Sequence, residues 1–364
     1  MLTLPSAEVT GEDLLPDARP GYRPYRATVA GIERLSPHFV RVTFTGPEFE
    51  HFGTAGLDQR IKLVLPIPGV GLADLGADEQ HDPASTGTGW YDRWRALPEA
   101  ERNPFRSYTV RSVRPHLREL DVDFVSHGAA DAAGSGLDSP AVPAHVDGHD
   151  GPDAPDDRDA QGGHGRTGVG PASRWLAAAR VGEHVVIVGP DSRSRDAGLG
   201  LDWRPGDATY LLLAGDETAV PAICGILDTL QPGRTAHAFL EVPDAADQLD
   251  VRVPDGCSVT WLPRGAAPHG ERLDAAVRTW VAGHRGPEVP TGAGVTAAEL
   301  EIDVDRDTLW DTPDTPPGAG FYAWLAGEAG AIKRLRRFLV SETGVDRRRV
   351  SFMGYWRLGK AEPQ

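Results

Sequence analysis

Residues 209–230 read "TYLLLAGDETAVPAICGILDTL". The run up to Ala214 is apolar without alternation, as in a strand buried on both faces. "GDE" then breaks the run, and "ETAVPAICGILDTL" continues as a helix. The design recurs downstream. "AHAFLEV" (236–242) and "SVTWLP" (258–263) read as strands and "RLDAAVRTWVAG" (272–283) as a helix. "GFYAWLAGE" (320–328) runs into the helix "AGAIKRLRRFLVSETG", and "RVSFMGYWRLG" (349–359) is a last strand. Strands alternating with helices predict a doubly wound parallel sheet, placed over 205–364.

Upstream the pattern changes to short β-rich runs: "YRATVAGIERL" (25–35), "FVRVTFTG" (39–46), "RIKLVLP" (60–66), "RSYTVRSV" (106–113) and "LDVDFVSH" (120–127). Turn signals separate them, which predicts an antiparallel barrel. "PASRWLAAA" (171–179) reads as a helix and "EHVVIVGP" (183–190) as a strand, so the barrel domain spans 21–204. Residues 1–20 read as an arm, and 70–104 as a long, partly ordered connection. Residues 129–169 are rich in Gly, Asp, Ala and Pro and nearly devoid of large apolar side chains. Such a segment cannot bury enough surface to order itself and is expected to be a disordered insertion. Its His145, His149 and His164 read as part of a solvated loop, and no metal site is assigned.

A chain of 364 residues with net charge −16 disfavours nucleic acid or an anionic membrane as partner. No apolar run is long enough to span a bilayer. The first twenty residues lack the basic and apolar regions of a signal peptide. Two cysteines, Cys224 and Cys257, suit a reducing cytoplasm without excluding one disulfide; they cannot ligate an ordinary iron–sulfur cluster.

Ligands of open parallel sheets sit at the carboxyl ends of the strands. Two such ends are marked by "AGDET" (214–218) and "AGEAG" (326–330), where glycine lets a backbone approach a ligand or serves turn geometry alone. Ser173 stands where a helix begins, as an N-cap or an anion donor. In "RSYTVR" (106–111), a charge, an aromatic ring and a hydroxyl share one strand. Alternation puts Arg106 and Tyr108 on one face and Thr109 on the other.

Taken in order, "RSYTVR", "DVDFVSHG", "GPASRWL", "AGDETAVPAI", "AWLAGEAGAIKRLRRFL" and "VSFMGYWRLG" resemble the siderophore-interacting protein family, flavoproteins of the ferredoxin reductase-like superfamily. The resemblance runs from about Tyr25 to Lys360. It implies a Greek-key FAD-binding barrel followed by a nicotinamide-nucleotide domain. It further implies a cytoplasmic reductase passing electrons from NADH or NADPH through FAD to the Fe³⁺ of a ferric siderophore. No catalytic residue beyond the flavin is required. By the same resemblance Arg106, Tyr108, Thr109, Val125, His127, Gly128, Ala172, Ser173 and Thr218 would hold FAD. Gly215, Asp216, Glu217, Gly327 and Glu328 would face the nicotinamide nucleotide. Lys62, Arg111, Tyr355, Trp356, Arg357 and Lys360 are candidates for the substrate pocket, although Tyr355 and Trp356 also suit flavin cover or core. Glu241 ends a strand where a carboxylate binds a ribose hydroxyl or is merely solvated. The insertion departs from the family by separating "HG" from "GPAS". Two rival functions stand beside this one: a flavin reductase serving a protein or organic acceptor, and a non-catalytic ferric-chelate binding protein.

Overall fold

The computed structural model describes residues 19–53, 56–78, 89–126, 170–284, 289, 310–313 and 318–359. The insertion with its three histidines, most of the arm, and His127, Gly128 and Lys360 lie outside the described residues.

Six strands close an antiparallel barrel: β1 (Tyr22–Arg34), β2 (Phe39–Thr45), β3 (Arg60–Val64), β4 (Phe105–Arg114), β5 (Glu119–Val125) and β6 (His184–Pro190). Their order round the barrel, β1-β2-β5-β4-β3-β6, is Greek-key. Inward-facing Val42, Phe44, Leu63, Val110, Val122, Phe124 and Ile187 fill it. Helix α1 (Trp90–Ala96) orders part of the long connection. Helix α2 (Pro171–Ala178) packs on the barrel through Trp175, whose ring stacks on Phe44 at 6.2 Å and tilts against Phe124 at 5.8 Å.

The second domain holds β7 (Ala208–Gly215), α3 (Val220–Asp228), β8 (Thr235–Val242), β9 (Ser258–Pro263), α4 (Glu271–Gly283), β10 (Trp310–Asp311), β11 (Gly320–Glu328), α5 (Ala329–Arg337) and β12 (Val350–Trp356). The sheet order is β10-β12-β11-β7-β8-β9, parallel except for the edge strand β10. Helix α3 covers one face, with Ile223, Ile226 and Leu227 in its core; α4 and α5 cover the other, through Leu273, Val277, Ile332 and Leu335. This is the doubly wound arrangement that alternation predicts. The two-residue β10 had no sequence signal.

Barrel residues Phe39, Leu57 and Val125 join the α3 core, so the two domains share buried apolar surface. Polar ties reinforce the junction. Asp247 accepts from Ser36 Oγ at 2.7 Å and from the His38 backbone at 2.9 Å. Trp324 Nε1 donates to Asp58 at 3.0 Å. Cys224 in α3 and Cys257 before β9 are free thiols.

Gly225 marks the closest approach, since a Cβ there would lie 2.4 Å from the Leu57 carbonyl oxygen. In a free helix Gly→Ala gains about 1 kcal/mol. Here overpacking reverses the sign, and Gly225→Ala is expected to destabilise by about 1–3 kcal/mol. Denaturant unfolding measures this, and a gain in stability would show that the helix does not rest on the barrel.

Candidate functional site

Where β4 and β5 meet the start of α3 and the end of β12, a cleft opens between the two domains. The barrel contributes Arg60, Ser107, Tyr108, Thr109, Asp123 and Val125; the second domain contributes Thr218, Pro221, Trp310 and Tyr355. Alternation put Tyr108 and Thr109 on opposite faces, yet both line this cleft. The reason is local. Pairing of β4 with β3 ends at Arg60↔Thr109, pairing with β5 begins at Val110, and the register shifts before Ser112. A strand changing partners through a bulge re-aims its side chains.

Tyr108 tilts against Phe124 with ring centroids 4.4 Å apart. Across the cleft Tyr355 is 8% exposed and stacks on Trp310 at 5.7 Å. Its hydroxyl is buried, with the Thr109 side chain beside it. Burial, more than any neighbouring charge, holds that phenol protonated well above its ordinary range. Arg60 lies over the Trp310 ring at 4.2 Å, with Nη2 3.0 Å from Asp202. Two tyrosines from opposite domains, hydroxyls on Ser107, Thr109 and Thr218, and one guanidinium suit a flat aromatic group with a polar edge. These residues therefore fit the isoalloxazine of a flavin.

Other candidates lie elsewhere. Arg106 is buried in the barrel wall and donates from Nη1 to the Phe105 carbonyl at 2.8 Å. Ala172 and Ser173 occupy the first turn of α2; its N-cap is Gly170, so Ser173 is not the cap. Lys62 is buried, donating to Ser107 Oγ at 2.7 Å, just behind the cleft wall. Arg357 is half-buried beyond β12.

Several placements correct the sequence reading. Arg111 Nη1 pairs with Asp228 of α3 at 2.6 Å, bracing barrel to second domain, and its Nε lies 3.9 Å from Asp123 of the cleft. Trp356 covers nothing in the cleft; it is buried, and Nε1 donates to Asp216 at 2.9 Å. Asp216 faces inward, accepting also from the Thr218 backbone at 2.9 Å and the Glu328 backbone at 2.7 Å. Burial, with the neighbouring Glu217 charge, raises its carboxyl to about 7. Glu217 is 1% exposed and forms a two-pronged pair with Arg264 at 2.8 and 2.9 Å. Glu241 is fully buried and accepts from the backbones of Gly270 at 2.8 Å and Leu273 at 3.0 Å, so it is not open to a ribose. Glu328 caps α5 by accepting from the Ala331 backbone at 2.8 Å.

The turn glycines have packing reasons. A Cβ on Gly215 would meet the Ala326 carbonyl oxygen at 2.6 Å; Gly327, at φ +144°, would place one 2.6 Å from Asp216.

Sequence reasoning missed Arg60, Trp310, Asp58 and Asp202. Arg60 alone had a signal, since it shares the strand face of Lys62.

Comparison with known proteins accounts for this architecture. Residues 28–141 match the model of the siderophore-interacting FAD-binding domain, and 208–359 match that of the siderophore-interacting protein. The chain belongs to the siderophore-interacting protein family. An uncharacterized protein of Mycobacterium tuberculosis is 29% identical over 345 residues, covering 93% of each chain. Ferric vibriobactin reductase ViuB of Vibrio cholerae is 25% identical over 328 residues, covering 90% of this chain and 87% of its own. A siderophore utilization protein of T. fusca shares the fold, with a TM-score of 0.57 at 23% identity over 94% of this chain and 96% of its own. Among the described residues of this family member no helix is long and apolar enough to cross a membrane.

Proposed function

We propose that this chain is a cytoplasmic ferric-siderophore reductase that carries FAD in the cleft and takes electrons from NADH or NADPH. One observation carries the reading: the cleft between the domains presents Tyr108 and Tyr355 from opposite sides, with Thr109 beside the buried Tyr355 hydroxyl. Family membership and the likeness to ferric vibriobactin reductase support the substrate class.

FAD, when bound, supplies the conversion of a two-electron donor into the single-electron steps that Fe³⁺ accepts. The chain's part is to bind and orient. Tyr108 and Tyr355 would hold the ring system between them, with Thr109, Thr218 and the Tyr355 hydroxyl available to its polar edge. Arg106 and the first turn of α2 are the candidates for the flavin's phosphates. Lys62 and Arg60 place positive charge by the cleft, which favours the anionic chelates in which hard oxygen donors hold Fe³⁺. Fe²⁺ is held less tightly by those donors and leaves. No side chain needs to move a proton at the iron.

The test is anaerobic NAD(P)H oxidation by the FAD-loaded protein, with and without ferric siderophores and with a ferrous chelator as trap. Oxidation and Fe²⁺ are expected together, only with a ferric siderophore present. A flavin that NAD(P)H reduces but no ferric chelate reoxidises would leave the cofactor and remove the iron assignment. Activity toward a protein or organic acceptor would then identify the flavin-reductase alternative.

A further inference from the structure

Helix N-termini are the usual seats for the phosphates of a dinucleotide, because their first N–H groups lack partners. In the second domain these seats are occupied from within. At the turn into α3, Asp216 accepts from the Thr218 backbone at 2.9 Å. At α4, Glu241 accepts from the backbones of Gly270 and Leu273 at 2.8 and 3.0 Å. At α5, Glu328 accepts from the Ala331 backbone at 2.8 Å. With Glu217, four carboxylates crowd the carboxyl edge of the sheet, and Arg264 pairs with two of them, Glu217 and Glu241. An incoming diphosphate would meet negative charge at each helix.

One exposed cation stands at this edge between two helix starts. The Arg334 guanidinium lies 3.1 Å from where a Cβ on Gly270 would be and 3.7 Å from the same point on Gly330. Nη2 donates to the His269 carbonyl at 3.3 Å, and among the described residues no carboxylate pairs with Arg334. Next to it, the His269 ring has Nδ1 buried with no hydrogen-bond partner. That ring packs edge-on against Trp356 at 5.0 Å. Burial and the Arg264 charge hold His269 neutral, so it adds a hydrogen-bonding group without adding charge.

We propose that Arg334, with His269 beside it, is the seat for the diphosphate of the electron donor, in place of the self-capped helix N-termini. The inference rests on the reading of NADH or NADPH as donor. It makes Arg334, on the exposed face of α5, a binding residue. It reverses the role of Glu328 as well, from nucleotide ligand to occupant of the anion's usual place.

The experiment titrates FAD-loaded wild type, Arg334→Gln, Arg334→Lys and Arg337→Gln with NADH, NADPH and ADP, the last carrying a diphosphate without nicotinamide. Losing one charge-assisted contact at an exposed site is expected to weaken ADP and NADH alike by about tenfold. Arg334→Lys should recover part of the affinity, and Arg337→Gln should match wild type. In steady state Arg334→Gln should raise KM for the donor at unchanged kcat. Photoreduced protein should be reoxidised by a ferric chelate at the wild-type rate. Glu328→Gln, which lowers the negative charge at the α5 turn, should tighten ADP binding. Wild-type affinity in Arg334→Gln overturns the proposal and leaves the reductase reading intact. If wild-type protein binds none of the three nucleotides, the donor reading falls and takes the proposal with it.

Discussion

Arg264→Met is expected to cost about 3–5 kcal/mol of folding stability at neutral pH, the usual loss when one partner of a buried ion pair is removed. Arg264 is 7% exposed, Glu217 1% and Glu241 fully buried. Methionine replaces the bulk of the arginine side chain but none of its donors. Glu241 keeps the two backbone N–H groups of α4. Glu217 loses the two-pronged pairing at 2.8 and 2.9 Å. An uncompensated carboxylate then sits beside Asp216, whose own carboxyl that charge already pushes up. Glu217→Leu combined with Arg264→Met should recover much of the stability, since an apolar pair of similar volume is often neutral or better than a buried ion pair. Urea unfolding of the single and double variants at pH 8 measures each part. If Arg264→Met alone unfolds at the wild-type midpoint at pH 8, the pair does not hold this edge of the sheet.

This edge shows where the sequence is readable and where it is not. The strand–turn–helix of 209–230 was legible because burial on both faces and helical periodicity leave local marks. Tyr108, Thr109, Val125, Thr218 and Tyr355, singled out through the family resemblance, come together at one cleft from segments more than 200 residues apart in the chain at the extremes. Which way a carboxylate turns is not a local property. Asp216, Glu217, Glu241 and Glu328 stand at strand ends, where ligands bind in such sheets, and the same position serves equally to cap the next helix. Arg111 reads as a pocket cation, and its ion pair with Asp228 forms only when α3 packs against the barrel. Trp310 and Trp324 of the second domain reach Asp202 and Asp58 of the first only when the domains dock. No periodicity within any one segment records that event.

Asp58→Asn is expected to stabilise the protein above pH 7 and to change how stability varies with pH. Asp58 is fully buried at the domain junction, accepting from Trp324 Nε1 at 3.0 Å and from the Asp202 backbone at 3.1 Å. Tyr22, Tyr322 and Tyr355 surround the Asp58–Asp202 pair, and Arg60 is the cation that faces it. Burial first, and the Asp202 charge second, raise the Asp58 carboxyl to about 7; the hydrogen bonds and Arg60 offset only part of this. The unfolded chain releases the same proton near pH 4. Between those values the folded state holds a proton that the unfolded state has lost, so the group's stabilisation is complete below pH 4 and fades as pH rises through 7. The slope is at most about 1.4 kcal/mol per pH unit for one proton. Asparagine keeps an acceptor for Trp324 and cannot ionise. The wild type should therefore lose stability relative to Asp58→Asn from pH 5 to 7 and stay below it at pH 8. Taking the difference between the two proteins cancels Asp216, which titrates in the same range, and Asp121, held at about 2 chiefly by Arg114 and hydroxyl hydrogen bonds against its burial. Parallel stability curves from pH 5 to 8 would mean that Asp58 ionises at its ordinary value, and that water reaches the junction behind Arg60 and the cleft.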